Sequence, residues 1–455
     1  MELVVRNGRV IAPGGVFVAD VGLAGERIVA LGQELHAAVE IDAAGCYVLP
    51  GGVDPHVHLQ MPSGPYVSAD DFASGTRAAA CGGTTSVIDF VEPGAGETFL
   101  AALERRRTEA DGHAAVDYSL HMTIPAWHAA HPESLAGLPQ VVAAGVSSFK
   151  LYTAYAGLYL NDVQLYTALE AVAGVDGLPI VHAENGPLCD HLRAQAVAAG
   201  QIEPRYHALT RPPRQEAEAV SRIIDLAALA ESRLYVVHVS CAEAVARLAS
   251  ARMQGAAVLG ETCPQYLTLT ADALAGPHGE RFICAPPLRS HADQNALWAA
   301  LAGGVLDTLA TDHCPFTAAE KAENNTFTQI PGGLPSIEAR LSLAYTRGVR
   351  AGYLSLERWV EVCCTAPARL FGLRRKGRIA PGYDADLVIF DPQKEVILNK
   401  NVLHERVDWT PYEGIKLWGW PRHVFSRGQT IVRDGEFVGR PGHGQFICRQ
   451  PGEHT

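Results

Sequence analysis

The chain has 455 residues, 48% hydrophobic and 19% charged, and its 49 acidic against 37 basic side chains give a formal charge of −12. This length exceeds one small core and predicts two or three domains, or one large barrel with additions. The acidic balance argues against a nucleic-acid or anionic-membrane partner, since both need a basic face.

The N-terminus shows neither a signal-peptide core nor an apolar run long enough to span a bilayer, so a cytoplasmic protein is expected. Short β-rich pieces open the chain at 3–5, 16–21 and 27–31, with Gly and Asn turns between them. The same grammar returns at 386–390, 424–426 and 430–432, which predicts one small β-module assembled from both ends. The ten cysteines have no C-x-x-C spacing and fall in apolar stretches, as buried reduced thiols do.

Between these ends, strand and helix alternate. Core strands are predicted at 53–59, 84–90, 118–124, 146–153, 179–184, 234–240, 257–263 and 307–312. Ala-rich helices are predicted at 71–80, 162–172, 214–229 and 242–253. Short continuous apolar strands alternating with helices indicate a parallel sheet covered by helices. Eight of them fit a (β/α)₈ TIM-type barrel. A doubly wound open sheet is the alternative, and no Gly-rich dinucleotide fingerprint supports it. The predicted divisions are 1–50 and 376–440 for the two parts of a β-sandwich module, 51–375 for the barrel and 441–455 for a C-terminal tail.

His56 and His58 flank Val57 on the first predicted strand, where residues i and i+2 share a face. By itself such a pair suits either a metal or two hydrogen-bonded core histidines. The other strand ends add Lys150, His182, His238 and Asp312. A lone strand His is usually a core residue and an Asp often caps a helix. A lysine inside Val146-Ser147-Ser148-Phe149-Lys150-Leu151-Tyr152 is harder to dismiss, because a buried unpaired ammonium is strongly disfavoured. This set is too large for one tetrahedral ion and suits two ions sharing ligands. Two cations need an anionic bridge. Carbamylation of Lys150 by CO₂ would turn a cation into a carboxylate-like one.

The order His-x-His, Lys, His, His, Asp resembles the carbamyl-lysine binuclear branch of the amidohydrolase superfamily. Further motifs resemble its cyclic amidases, the dihydropyrimidinase and D-hydantoinase family. They are Ala69-Asp70-Asp71-Phe72, Gly82-Gly83-Thr84-Thr85-Ser86-Val87-Ile88-Asp89-Phe90, Lys150-Leu151-Tyr152-Thr153-Ala154-Tyr155, Pro286-Pro287-Leu288-Arg289 and Pro411-Tyr412-Glu413-Gly414. The likeness runs from the N-terminal β-module to Gly439.

The resemblance implies hydrolytic opening of dihydropyrimidines or 5-substituted hydantoins to N-carbamoyl amino acids. It implies two divalent ions, zinc foremost, with His56 and His58 on one, His182 and His238 on the other, and carbamylated Lys150 between them. Asp312 would ligate the first ion and shuttle the proton of the bridging hydroxide to the departing nitrogen, while Tyr155 stabilises the oxyanion. Main-chain groups of Ala285 and Gly332 would bind the small cyclic amide or ureide; relatives commonly have Ser and Asn there. Ser63 stands where relatives often carry a bulky aromatic, and the apolar loop 156–160 would face the ring substituent, an arrangement suited to large 5-substituents. A homotetramer, or else a dimer, is implied. Dihydroorotase, allantoinase and a non-catalytic scaffold of this fold are the alternatives. Gln60 argues against the first, which needs an Arg there for its substrate carboxylate. The intact ligand set argues against the last.

Overall fold

A parallel sheet covered on both faces needs apolar strands without alternation, and every residue of Thr84–Val91, Asp117–Thr123, Ser148–Tyr152 and Leu178–His182 is buried. The computed structural model describes residues 1–12 and 14–452. Its central sheet has eight strands, in the order Gly52–Asp54, Thr84–Val91, Asp117–Thr123, Ser148–Tyr152, Leu178–His182, Leu234–Val236, Val258–Thr262 and Thr308–Leu309. All neighbours in it pair in parallel, giving the expected (β/α)₈ barrel.

The seam between the last strand and the first closes by individual contacts rather than a regular ladder. Asp312 N–H donates to the His56 carbonyl at 2.9 Å, and His58 N–H to the His313 carbonyl at 2.8 Å. Below them the Thr311 hydroxyl donates to Asp54 at 2.7 Å. The buried Arg340 guanidinium ties the Val53 and Leu309 carbonyls together at 3.0 and 2.9 Å.

Three strands end earlier than predicted. Pairing stops at Asp54, Val236 and Leu309, so His56, His58, His238 and Asp312 stand just beyond the C-terminal strand ends. For the sixth and eighth strands the reason is local: His238 (φ 39°) and Asp312 (φ 52°) adopt left-handed backbone, which leaves the ladder.

Helix boundaries follow their caps. Phe72–Cys81 begins at Asp71, whose carboxylate accepts the Ser74 N–H at 2.7 Å while the Ser74 hydroxyl accepts the Asp71 N–H at 3.0 Å. It ends at Gly82, where a Cβ would lie 2.2 Å from the Glu338 carbonyl oxygen. The longest helix, Pro213–Leu229, buries Ala217, Val220, Ile223 and Ala227 at three- and four-residue spacing. Inside the barrel, Val53, Ile88, Phe90, Ile180, Tyr235 and Val237 cluster with Leu370 and Phe371.

Both chain ends meet in a nine-stranded mixed sheet. The two halves join where Leu387–Ile397 runs antiparallel to Tyr47–Pro50, pairing Leu387 with Pro50 and Phe390 with Tyr47. Residues 442–452, within the segment read from sequence as a tail, pack beneath the barrel. Ile447 N–H donates to the Tyr118 carbonyl at 2.7 Å, and buried Arg449 reaches the Ser119 and Ser148 hydroxyls at 2.7 and 2.9 Å. All ten cysteines are free; nine are buried as expected and Cys448 is exposed. Among the described residues no helix is long and apolar enough to cross a membrane.

Lys376 fastens the terminal sheet to the barrel. Its ammonium lies 2.6 Å from Asp117, 2.8 Å from Asp386 and 3.1 Å from Asp384, all buried. Lys376→Met leaves these carboxylates short of a counter-charge and is expected to destabilise the protein by about 3–5 kcal/mol, measured by denaturant unfolding. A parent-like midpoint would contradict the fastening role.

Candidate metal centre and active-site pocket

The chain's exit from the first strand brings the His56 and His58 rings to 5.1 Å between centroids. Phe90, from the second strand, stacks on His58 at 4.6 Å. Both Nε2 atoms point at Asp312 from across the seam, at 3.3 and 3.1 Å from its Oδ1. On the far side His182 Nδ1 and His238 Nε2 stand 2.9 Å apart, and the His56 and His238 rings, 5.5 Å apart, connect the two pairs. Lys150 Nζ lies 5.1 Å from the ring centroids of both Phe90 and Tyr152. It is 1% exposed and has no hydrogen-bond or ion-pair partner among the described residues.

These residues form a donor set that fits metal. His56 Nε2, His58 Nδ1 and His238 Nδ1 are buried without a hydrogen bond, each a cost of about 1–3 kcal/mol unless something else satisfies it. Burial holds His56 and His238 well below the ordinary imidazole pKa and lowers His182 as well, so their nitrogens keep free lone pairs. Burial favours the acid form of Asp312, but His56, His58 and His238 outweigh it and hold the carboxyl well below the usual range. Burial also brings the Lys150 amine down to about 8, against the pull of Asp312, Glu261 and Glu92. One ligand atom from each of His56, His58 and Asp312 fits within a 4.8 Å span. Neutral imidazole with carboxylate is a donor combination for zinc and similar divalent ions.

Residues 47–125 and 212–431 match the model of the amidohydrolase family. The chain belongs to that family. It is 44% identical over 458 residues to a D-hydantoinase of Geobacillus stearothermophilus, covering 99% of this chain and 97% of that protein. A D-phenylhydantoinase of Escherichia coli O1:K1 / APEC is 41% identical over 459 residues, with 99% of each covered. The crystal structure of a dihydropyrimidinase from Brevibacillus agri NCHU1002 superposes with a TM-score of 0.97 at 43% identity, covering 100% of both chains. The family is metal-dependent, and this amidohydrolase carries candidate ligands for an ion.

All nine residues predicted for the site, His56, His58, Lys150, Tyr155, His182, His238, Ala285, Asp312 and Gly332, line one cavity of about 390 Å³. Tyr155 itself has left-handed backbone (φ 75°), and its ring lies 4.8 Å from that of His182. A Cβ at Gly332 would meet nothing within 4 Å, so there is open space beside it. From the loop 156–160 only Leu158 lines the cavity; Ser63 lines it with Met61 and Pro62, and Phe327 and Ile330 line it besides.

Several orienting groups in this amidohydrolase were not assigned a role from sequence. Glu261 accepts from His56 Nδ1 at 2.7 Å, from the His238 N–H at 3.1 Å and from the Tyr235 hydroxyl at 2.8 Å. Burial pushes its carboxyl up to about 7. Glu184 meets His182 Nε2 at 3.0 Å and is held by Gln215 at 2.8 Å and by Arg211. Asp89 accepts the Leu59 N–H at 2.7 Å and is paired with Arg106 at 2.6 Å, which pins the turn after His58. Such partners fix ring orientation and tautomer at a metal ligand. The readable signal was a charged residue in a buried apolar strand, the same anomaly that marked Lys150.

Proposed function

We propose that this chain hydrolyses the cyclic amide bond of dihydropyrimidines or 5-substituted hydantoins, releasing N-carbamoyl amino acids. The observation that carries this reading is the convergence of four histidines, Lys150 and Asp312 on one cavity in a chain matching D-hydantoinases end to end. His56 and His58 would hold one zinc ion with Asp312 beside it, His182 and His238 a second. Lys150, carbamylated by CO₂, would bridge them. Its partnerless amine supports that role, since a carbamate replaces an unsatisfied buried cation with a ligand. Two ions bound there supply charge stabilisation at the carbonyl oxygen and a water acidic enough to react near neutral pH.

The protein's own groups do the rest. As water adds to the ring carbonyl carbon and the ring C–N bond breaks, Asp312 accepts the water proton and returns it to the departing nitrogen. The Tyr155 hydroxyl donates to the carbonyl oxygen as that atom gains negative charge. Main-chain groups of Ala285 and Gly332 pair with the amide edge of the ring. The 5-substituent lies among Met61, Pro62, Ser63, Leu158, Phe327 and Ile330, and the small Ser63 favours large substituents. Each methylene there is worth about 1–3 kcal/mol.

A neutral ring suits this cavity better than an acidic one. Gln60 supplies no charge, and Arg193 and Arg211 are already paired with Asp190 and Glu184. The assembly is a homotetramer, with a dimer as the lesser form, and the free cysteines suit a cytoplasmic location.

Steady-state rates on dihydrouracil, hydantoin, 5-phenylhydantoin, allantoin and dihydroorotate, with metal analysis of the same preparation, test the reading. Stoichiometric metal and preference for one of the first three are expected. Highest kcat/KM on allantoin or dihydroorotate, or metal-free protein inert to all five, would overturn it. Tyr155→Phe is expected to lower kcat by about 10²–10³-fold with KM little changed; a parent-like kcat would remove Tyr155 from the mechanism.

A further inference from the structure

Lys321 sits on the short helix Ala318–Ala322 and is fully buried. Among the described residues no carboxylate pairs with it. Its Nζ donates at 2.8 Å to the Ile283 carbonyl, its one hydrogen-bond partner among the described residues. Burying an ammonium without a counter-ion is costly, and an apolar side chain of similar length would fill the same space without that cost. What the lysine adds is a directional donor on one main-chain oxygen.

That oxygen joins the two walls assigned to the substrate. The Ile283 carbonyl also accepts the Gly333 N–H, at 3.0 Å. Ile283 leads through Cys284 to Ala285, and Gly333 follows Gly332; all four named wall residues, Ile283, Ala285, Gly332 and Gly333, line the cavity. Gly333 cannot easily shift to compensate: a Cβ on it would lie 2.2 Å from the Cys314 carbonyl oxygen, and its φ is +145°. On the other side Lys321 is walled in by Phe316, whose ring centroid is 5.9 Å from Nζ.

We propose that Lys321 is a positioning residue that sets the spacing of the Ala285 and Gly332 main-chain groups, and so the fit of the ring's amide edge, by holding the Ile283 carbonyl. The inference rests on the reading that those two segments pair with the substrate. Burial lowers the Lys321 amine to about 7; ammonium or neutral amine, it has N–H groups to donate.

The test uses the metal-loaded full chain, its Lys321→Met variant and Lys321→Gln, which keeps an N–H donor. Each is assayed on hydantoin and on 1-methylhydantoin, with melting temperature and metal content recorded. Lys321→Met should bind metal like the parent and raise the hydantoin KM by about tenfold, the scale of one hydrogen bond, with kcat changed far less. Its preference for hydantoin over the methylated ring should shrink, and Lys321→Gln should recover part of both. Unchanged KM and preference in Lys321→Met would overturn the role. So would a parallel loss of melting temperature, kcat and KM in both variants, the mark of a merely structural lysine. A parent without preference between the two rings would instead overturn the main-chain pairing itself, a distinct result.

Discussion

Lys150→Ala is expected to purify without its metals and without ring-opening activity, the two losses appearing together in metal analysis and in steady-state assay. The expectation follows from where the amine stands. Lys150 Nζ is enclosed between Phe90 and Tyr152 and touches no acceptor among the described residues, so there it has no structural hydrogen bond or ion pair to lose. With no anionic bridge between them, two cations repel each other strongly in a buried site. The rate loss should exceed the roughly 10²–10⁴-fold range of a single acid–base group, because nucleophile generation and carbonyl polarisation fail together. A small carboxylate such as propionate, given with zinc, fits the space vacated and is expected to restore part of the rate. A metal-replete, active Lys150→Ala protein would sink the bridging role.

Asp312→Asn is expected to behave differently, keeping much of its metal while kcat falls by about 10²–10⁴-fold. The amide keeps an oxygen near His56 and His58, where Asp312 Oδ1 now lies 3.3 and 3.1 Å from their Nε2 atoms, so the pocket need not rearrange. It has lost the ability to take up a proton. The histidines hold the Asp312 carboxyl well below the usual range, which makes it an anion across the working pH. A variant with parent-like kcat and full metal would exclude Asp312 as the proton shuttle. Equal loss of metal and rate would assign it a ligand's role alone.

Most of the barrel was legible because its strands are short apolar runs between amphipathic helices, and that pattern depends only on burial. The ligands were legible because a Lys and several His in apolar strands violate it. Their exact setting was not. His238 and Asp312 leave the extended conformation, and no hydrophobic pattern encodes a positive φ. Glu261 and Glu184 broke the pattern as plainly as Lys150 did, but their partners His56, His182 and Arg211 are distant or ambiguous along the chain. Closure of the seam by Arg340, which joins Val53 to Leu309, is a tertiary fact with no local signature. The segment 445–452 reads as a tail because Phe446 and Ile447, which pack against the core beside the buried Arg449, are too few to set up a strand or helix periodicity.

The pairing of Tyr47–Pro50 with Leu387–Ile397 has a consequence for biosynthesis. A strand made in the first eighth of translation presents an unpaired edge until its neighbour emerges, on the order of 300 residues and some tens of seconds later at typical elongation rates. Its companions Leu3–Ala12 and Gly15–Ala24 cover only one side during that wait. Nascent chains therefore pass through a long interval in which an open β-edge invites the wrong neighbour. Slowing synthesis in the last quarter of the message should lower the yield of native enzyme more than slowing it in the first.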